Sequence, residues 1–177
     1  MPFAQPRDNI ATFGLEPGMI VADLGAGSGF YALAAARAVG ETGRVYAVEV
    51  QKELLTRIKN TASKEGIYTI EVIWGDLEEI GGSKLRDNSV DRVIVSNILF
   101  QLENHELFTR EAFRILRPHG EALIVEWSGS FGGVGPRPEQ VIAEADARAL
   151  FERNGFSFVR SLSNPGEHHY GFIVKKP

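Results

Sequence analysis

A glycine-rich turn between two apolar segments constrains this chain more than any other feature. Residues 19–24 form a short apolar run after Pro17 and Gly18, which predicts a buried strand. Residues 30–39 are rich in alanine and stop at Gly40, which predicts a helix. Because the glycines lie between a strand and a helix, this region predicts the first βα unit of a parallel sheet.

The rest of the sequence repeats this alternation of extended and helical segments. Further strands are predicted at residues 44–50, 67–74, 90–95, 121–127, 156–162 and 169–175. Further helices are predicted at residues 7–13, 51–65, 103–116 and 139–154. The loop at residues 163–168 is too short for a parallel crossover, so the last strand should run antiparallel. The expected fold class is therefore α/β, with a doubly wound and mostly parallel sheet.

Length and composition limit the classes of protein to which this chain can belong. With 177 residues and no internal repeat, residues 1–177 are expected to form a single domain, with residues 1–18 as a short N-terminal cap. The chain has no cysteine, which excludes disulfides and thiolate metal sites, and no metal site is expected. Its net charge of -4 disfavours nucleic acid and an anionic membrane as partners. We expect a cytoplasmic protein without a membrane span.

Polar residues gather where the predicted parallel strands end. In an open parallel sheet, ligands bind beyond the carboxyl ends of the strands. The first five strands deliver to that edge, in order, Asp23 with the glycine turn, Glu49, Asp76 with Leu77, Asn97, and Glu126 with Trp127. Each of these features alone also fits a plain structural role, such as a tight turn or a solvated strand end. Together they predict a nucleoside-type ligand at this edge.

The spacing of the glycines distinguishes between kinds of nucleoside. Dinucleotide-binding turns follow Gly-x-Gly-x-x-Gly, whereas this turn has Gly25, Gly27 and Gly29 followed by the bulky Phe30. The sequence has no Gly-Lys-Ser/Thr phosphate loop, and residues 23–36 contain no basic side chain that could pair with a pyrophosphate. The turn therefore does not match the known patterns for a dinucleotide or for a nucleotide held by its phosphates.

The pattern Asp23-x-Gly25-x-Gly27-x-Gly29 resembles the first motif of the class I S-adenosylmethionine-dependent methyltransferases, and the resemblance extends over nearly the whole chain. It implies a Rossmann-like sheet of seven strands with the last one antiparallel, and S-adenosylmethionine as the cofactor. It implies that Glu49 accepts hydrogen bonds from both ribose hydroxyls, that Asp76 and Leu77 contact adenine, and that Asp23 with Gly25 flanks the methionine part. The full set of predicted cofactor-binding residues is Asp23, Gly25, Gly27, Glu49, Asp76, Leu77 and Asn97.

The methyl acceptor is expected at the same edge, in contact with Asn97, Trp127, His169 and Tyr170. An antiparallel last strand begins at this edge, which makes His169 and Tyr170 the candidates for a catalytic base, with a polar turn surface as the alternative interpretation. Residues 96–99 lack the Asn/Asp-Pro-Pro-Tyr motif of methyltransferases that act on nucleobase amino groups. Arsenic methylation is disfavoured because the related enzymes need cysteines. The acceptor is expected to be a small molecule or a protein side chain, and a homo-oligomer is left open.

Two other functions stay open at this point. A regulatory subunit that binds the nucleoside without transferring a methyl group fits the same residues, because Phe100 and Gln101 stand where many small-molecule methyltransferases have a histidine. A nicotinamide-dependent oxidoreductase fits less well, because the glycine spacing differs from the dinucleotide pattern. Methyl transfer to a panel of acceptors would exclude the first function, and nicotinamide binding without affinity for adenosylmethionine would favour the second.

Overall fold

The computed structural model describes residues 4–177. The helices are α1 (Pro6–Phe13), α2 (Phe30–Val39), α3 (Lys52–Lys64), α4 (His105–Ile115) and α5 (Glu144–Arg153). The strands are β1 (Ile20–Leu24), β2 (Arg44–Glu49), β3 (Ile70–Trp74), β4 (Val90–Ser96), β5 (Leu116–Trp127), β6 (Ser157–Ser161) and β7 (His169–Lys175). Residues 1–3 of the predicted N-terminal cap lie outside the described part of the chain. No helix within that part is both long and apolar enough to cross a membrane.

The seven strands form one sheet in the order β3-β2-β1-β4-β5-β7-β6. All pairs from β3 to β5 are parallel, and β7 runs antiparallel to both of its neighbours. The predicted fold class and the antiparallel last strand are therefore confirmed. The strand order reverses between β1 and β4, and in such sheets a crevice opens at the carboxyl ends of the strands where the order reverses.

Helices cover both faces of the sheet, as a doubly wound fold requires. Apolar residues of α1, α2 and α3 pack on one face, and apolar residues of α4 and α5 pack on the other. The alternation along β5 explains how a single strand contributes to both cores: Leu123 and Val125 belong to the first face, and Ala122 and Ile124 to the second. The sheet is thereby buried on both sides, and its carboxyl edge is left for a ligand.

Most predicted bounds differ from the observed ones by a few residues, and two starts differ by five. The strand predicted at 121–127 begins at Leu116, directly after α4 ends at Ile115, and Leu116 pairs with Val90 before the register shifts. The helix predicted at 139–154 begins only at Glu144, because residues 138–140 form a short 3₁₀ turn instead.

The N-terminal helix is tied to the loop between β6 and β7. The Asn9 side-chain amide donates one hydrogen bond to the Pro165 carbonyl, at 2.7 Å, and another to the Tyr31 hydroxyl, at 2.7 Å. Arg160 donates to the Thr12 carbonyl at 2.7 Å. These contacts hold α1 beside the beginning of α2, next to the carboxyl edge of the sheet.

Candidate functional site

The glycine turn between β1 and α2 lies against the end of β2 and against the loop after β4. The amides of Gly25 and Ala26 both donate to the Val48 carbonyl, at 2.9 and 3.0 Å. Gly25 has a φ of 77°, and a Cβ at this position would overlap the side chain of Ile98. Glycine is therefore required here both by the backbone conformation and by the close approach of Ile98.

Glu49 ends β2 with its carboxylate held by three backbone amides. Its Oε2 accepts from Gly27 at 3.0 Å, and its Oε1 accepts from Val50 at 2.9 Å and from Gln51 at 3.1 Å. The side chain is buried, yet it lines the cavity at the sheet edge. Because each carboxylate oxygen accepts about two hydrogen bonds, this carboxylate keeps one acceptor position, on Oε2, for a ligand hydroxyl.

Asp23 is buried at the tip of β1, and its Oδ2 has no hydrogen-bond partner among the described residues. Burial is the largest cause that raises the pKa of Asp23, to about 7, and the charge of Glu49 adds to it, while a hydrogen bond from the backbone of Ala32 opposes both. A buried carboxyl oxygen without a partner at the wall of a cavity is a position where a cationic or proton-donating ligand group would be stabilised.

Asp76 and Leu77 follow β3 and line the same cavity. Asp76 is exposed, and its Oδ1 accepts from the Glu78 amide at 2.9 Å, which fixes the turn. Leu77 is buried and belongs to the core on the α4 side. This part of the wall thus combines one apolar side chain with carboxyl groups. Such a surface suits a nucleobase, which has flat apolar faces and polar edges.

Asn97 follows β4 with a φ of 53°, and its amide donates to the Val125 carbonyl at 2.9 Å. Its side-chain oxygen Oδ1 is buried and has no hydrogen-bond partner in the described part of the chain. Both Asn97 and Ile98 line the cavity. A left-handed backbone at a non-glycine residue costs free energy, and asparagine tolerates this conformation better than most residues.

These elements enclose a cavity of about 740 Å³ at the carboxyl edge of the sheet. Every residue predicted to bind the cofactor lines it: Asp23, Gly25, Gly27, Glu49, Asp76, Leu77 and Asn97. Four acidic residues contribute to the wall, with Glu78 as the fourth beside Asp23, Glu49 and Asp76, and no Lys, Arg or His of residues 4–177 does so. No cluster of His, Asp and Glu side chains within the same residues is arranged to hold a metal ion.

The predicted acceptor residues other than Asn97 lie apart from this cavity wall. The ring of Trp127 packs against that of His169, with 4.4 Å between ring centroids, and against that of Phe131 at 6.5 Å. The Tyr170 hydroxyl donates to the Ile142 carbonyl at 3.0 Å, and burial raises the pKa of Tyr170 above its usual range. Substrate contact by Trp127, His169 and Tyr170, and a base role for the last two, stay predictions.

Sequence reasoning missed several residues of the wall. Tyr31 and Phe30 in the first turn of α2 line the cavity, as do Ala4 and Pro6 at the start of the chain. Burial raises the pKa of Tyr31 to about 12, with the charge of Asp23 as a further cause, against hydrogen bonds with Asn9 and Ser96. The signal for Tyr31 was its place directly after the glycine turn. The N-terminal residues gave no such signal, because a tertiary contact brings them there.

Glu126 is a buried carboxyl group that the sequence placed at this edge without a role. It lies at the end of β5 and is 1% exposed. Burial raises the pKa of Glu126 to about 7, although the backbone amides of Trp127 and Leu99 donate to it. It lies behind the cavity wall rather than on it.

The fold and this cavity together define a class of protein, the nucleoside-binding α/β proteins whose ligand is held at a strand-order reversal. Comparison with known proteins gives the family. Residues 15–154 match the family described as a methyltransferase domain. The chain therefore belongs to the S-adenosylmethionine-dependent methyltransferases, and the resemblance drawn from the glycine motif is confirmed, with S-adenosylmethionine as the cofactor of the family.

The curated relatives are methyltransferases that are longer than this chain. An arsenite methyltransferase of Halobacterium salinarum is 34% identical over 112 residues, which cover 62% of this chain and 27% of that protein. A ubiquinone/menaquinone biosynthesis C-methyltransferase of Hydrogenovibrio crunogenus is 29% identical over 123 residues, which cover 69% of this chain and 47% of that protein. The chain thus spans about half or less of the length of these relatives.

Solved structures agree with the fold over the whole described chain. A SAM-dependent methyltransferase from Aquifex aeolicus superposes with a TM-score of 0.88 at 29% identity, over 99% of this chain and 91% of that one. A methyltransferase in complex with the Haloferax volcanii Trm112 methyltransferase activator superposes with a TM-score of 0.78 at 17% identity, over 97% of this chain and 88% of that one. The second likeness concerns the fold alone.

Proposed function

We propose that this protein transfers the methyl group of S-adenosylmethionine to a small-molecule acceptor. The observation that carries the proposal is the acidic cavity, in which Asp23, Glu49, Asp76 and Glu78 converge at the reversal of strand order. Adenosylmethionine supplies a methyl group on a sulfonium cation, together with an amino group and a ribose diol. A cavity with carboxyl groups on several sides stabilises such a cation.

Three parts of the cofactor, the ribose, the amino acid part and the adenosine, have suitable counterparts among the residues of the wall. Glu49 is suited to accept a hydrogen bond from a ribose hydroxyl, because three amides fix its carboxylate and leave one acceptor position on Oε2. The unpartnered oxygens of Asp23 and Asn97 are suited to accept hydrogen bonds from the amino acid part. Leu77 and Ile98 offer apolar surface for the adenosine. In this arrangement the chain contributes mainly orientation, which is sufficient for much of the rate of an in-line transfer.

The N-terminal part of the cavity wall favours a small acceptor over a protein side chain. Ala4 and Pro6 form part of its wall, so the space extends from Glu49 at one end to the N-terminal helix at the other. The curated relatives named above carry names that refer to arsenite and to quinone precursors, which are small molecules. Cysteine is absent from this chain, so arsenic stays the less favoured acceptor.

Partners and location belong to the same proposal. The methyltransferase in complex with Trm112 is assembled with an activator, which makes an accessory subunit a reasonable partner beside a second copy of this chain. A cytoplasmic location is proposed because adenosylmethionine is a cytoplasmic metabolite. A single domain over residues 1–177 is likewise part of the proposal.

Titration with adenosylhomocysteine tests the cofactor site directly. Replacement of Glu49 by alanine should weaken binding on the order of 100-fold, because charge-assisted hydrogen bonds contribute about 1.5–3 kcal/mol each. Glu53→Ala is the matched control, because Glu53 is an exposed carboxylate in the first turn of α3, outside the cavity wall. Equal affinities of the two variants would remove Glu49 from the site.

A second measurement separates an enzyme from a binding subunit. Transfer of isotope-labelled methyl groups to a panel of quinols, other small nucleophiles and protein extracts identifies the acceptor class. Binding of adenosylhomocysteine without transfer to any of them would favour the regulatory subunit, and labelling of protein alone would favour a side-chain acceptor. Binding of a nicotinamide dinucleotide in place of adenosylhomocysteine would favour the oxidoreductase.

A further inference from the structure

The loop after β4 forms the wall of the cavity that faces the glycine turn. Ile98, Gln101 and Leu102 line the cavity from this side. The Ile98 side chain lies so close to Gly25 that a Cβ there would overlap it. The distance between the two walls therefore depends on where the backbone of residues 97–100 is held.

A single buried carboxyl group holds that backbone. Glu126 accepts through Oε2 from the Leu99 amide at 2.9 Å and through Oε1 from the Trp127 amide at 2.8 Å. The backbones of Phe100 and Ile98, on either side of Leu99, also favour the ionised form of Glu126 and lower its pKa. Glu126 thus connects the end of β5 to the middle of the loop, at the Leu99 amide.

The remaining hydrogen bonds of the loop involve groups other than the amides of residues 98–100. The Asn97 amide donates to the Val125 carbonyl at 2.9 Å, which extends the pairing of β4 with β5 by one residue. His105 at the start of α4 hydrogen-bonds to the Leu99 carbonyl at 2.8 Å, and Gln101 donates to the Asn97 carbonyl at 3.0 Å. None of these contacts joins the amides of residues 98–100 to the sheet, whereas Glu126 does.

We propose that Glu126 is a positioning residue, which fixes the backbone of residues 98–100 and thereby keeps Ile98 against Gly25 as one wall of the cofactor cavity. A carboxyl group with 1% exposure is costly to bury, and hydrogen bonds from several amides offset this cost. An apolar side chain would fill the same space at lower cost but would leave those amides without acceptors. The inference deepens the proposed function, because it concerns the same cavity.

The test compares Glu126→Gln with Glu121→Gln. Both replace a carboxylate of β5 by its isosteric amide, but Glu121 pairs with Arg92 at 4.0 Å, away from the cavity. Affinity for adenosylhomocysteine is measured well below the unfolding transition of each variant, and amide hydrogen exchange is followed at Leu99. We expect Glu126→Gln to bind about tenfold more weakly, which corresponds to one lost charge-assisted hydrogen bond, and to exchange faster at Leu99, while Glu121→Gln matches the wild type in both.

The outcomes separate this inference from the proposed function. If the wild type fails to bind adenosylhomocysteine, the proposed function itself is wrong. If the wild type binds, and Glu126→Gln keeps both its affinity and the slow exchange of Leu99, the positioning role is wrong. If Glu126→Gln does not fold, Ile98→Ala replaces it: this variant should lose affinity with unchanged Leu99 exchange, and full affinity would overturn the inference.

Discussion

Two glycines of this chain have nearly the same backbone conformation but different surroundings. Gly29 ends the glycine turn with a φ of 84°, and Gly14 follows α1 with a φ of 75°. A Cβ at Gly29 would lie 2.6 Å from Cγ1 of Ile58, whereas a Cβ at Gly14 would meet nothing within 4 Å. The pair therefore separates the cost of the left-handed conformation from the cost of close packing.

We expect Gly29→Ala to lower the free energy of unfolding by about 1–3 kcal/mol more than Gly14→Ala, because α3 must move to admit the new methyl group. Gly14→Ala should cost only about 1 kcal/mol through its backbone conformation. Urea denaturation of both variants and the wild type gives the two differences. Equal losses would mean that Ile58 adapts without cost and that the glycine is needed only for its φ.

At the scale of the elements, α4 follows the loop that forms one wall of the cavity, and a side chain caps the N-terminus of this helix. The Asn104 side chain accepts from the Leu107 amide at 3.0 Å, whereas Gln51, at the same position of α3, makes no such hydrogen bond. Asn104→Ala should therefore destabilise the protein by about 1 kcal/mol, and Gln51→Ala by much less. Thermal or urea unfolding of the two variants tests this, and a Gln51→Ala loss as large as that of Asn104→Ala would contradict it.

The succession of helices and strands along the chain could be predicted, because each element depends on a local sequence signal. The residues at which the elements begin and end could not be predicted in this way. The glycine turn and the short 163–168 loop were sufficient for the parallel sheet and its antiparallel last strand. The beginning of β5 at Leu116 depends on pairing with Val90, a partner distant in sequence, and no property of residues 116–120 alone reveals it.

The same distinction holds for the site. The cofactor residues follow strand ends, so the topology alone brings them together around one cavity. The packing of Trp127 against His169 and the hydrogen bond of Tyr170 with Ile142 arise from tertiary contacts between β5, β7 and the segment before α5. Those contacts could not be predicted from spacing, and neither could the place of Ala4 and Pro6 in the wall.

At the scale of the whole molecule, three buried carboxyl groups give the stability a dependence on pH. Burial raises the pKa values of Asp23 and Glu126 to about 7. For Glu111, burial opposes ionisation, but hydrogen bonds from Arg114, Ser83 and Gly81 outweigh it and lower the pKa to about 2. The first two groups bind protons more tightly in the folded state than in the unfolded state, and the third binds its proton less tightly.

The sign of each effect follows from these shifts. Asp23 and Glu126 favour the folded state at low pH, and this contribution is lost as the pH rises from about 4 through 7. Glu111 contributes stability above about pH 4.5, which is lost toward pH 2. We therefore expect the ligand-free protein to have a lower free energy of unfolding at pH 8 than at pH 5.

Urea denaturation at pH 5, 6, 7 and 8 measures this slope. Asp23→Asn should flatten it, because the variant has no titrating group at that position, and the control Glu121→Gln should leave it unchanged. A free energy of unfolding that is constant or increases between pH 5 and 8 would contradict the raised pKa values.

The hydrogen bonds of Asn9 with Pro165 and of Arg160 with Thr12 have a consequence for how the chain matures on the ribosome. The helix next to the cavity leaves the ribosome before the strands of the pocket, whereas Arg160 and Pro165, which fasten it, leave the ribosome after them. A nascent polypeptide halted before residue 160 has the glycine motif and every strand end of the pocket, but it lacks the residues that form hydrogen bonds with α1. Capture of the nucleoside by a fully formed pocket therefore requires that the β6–β7 hairpin has emerged from the ribosome.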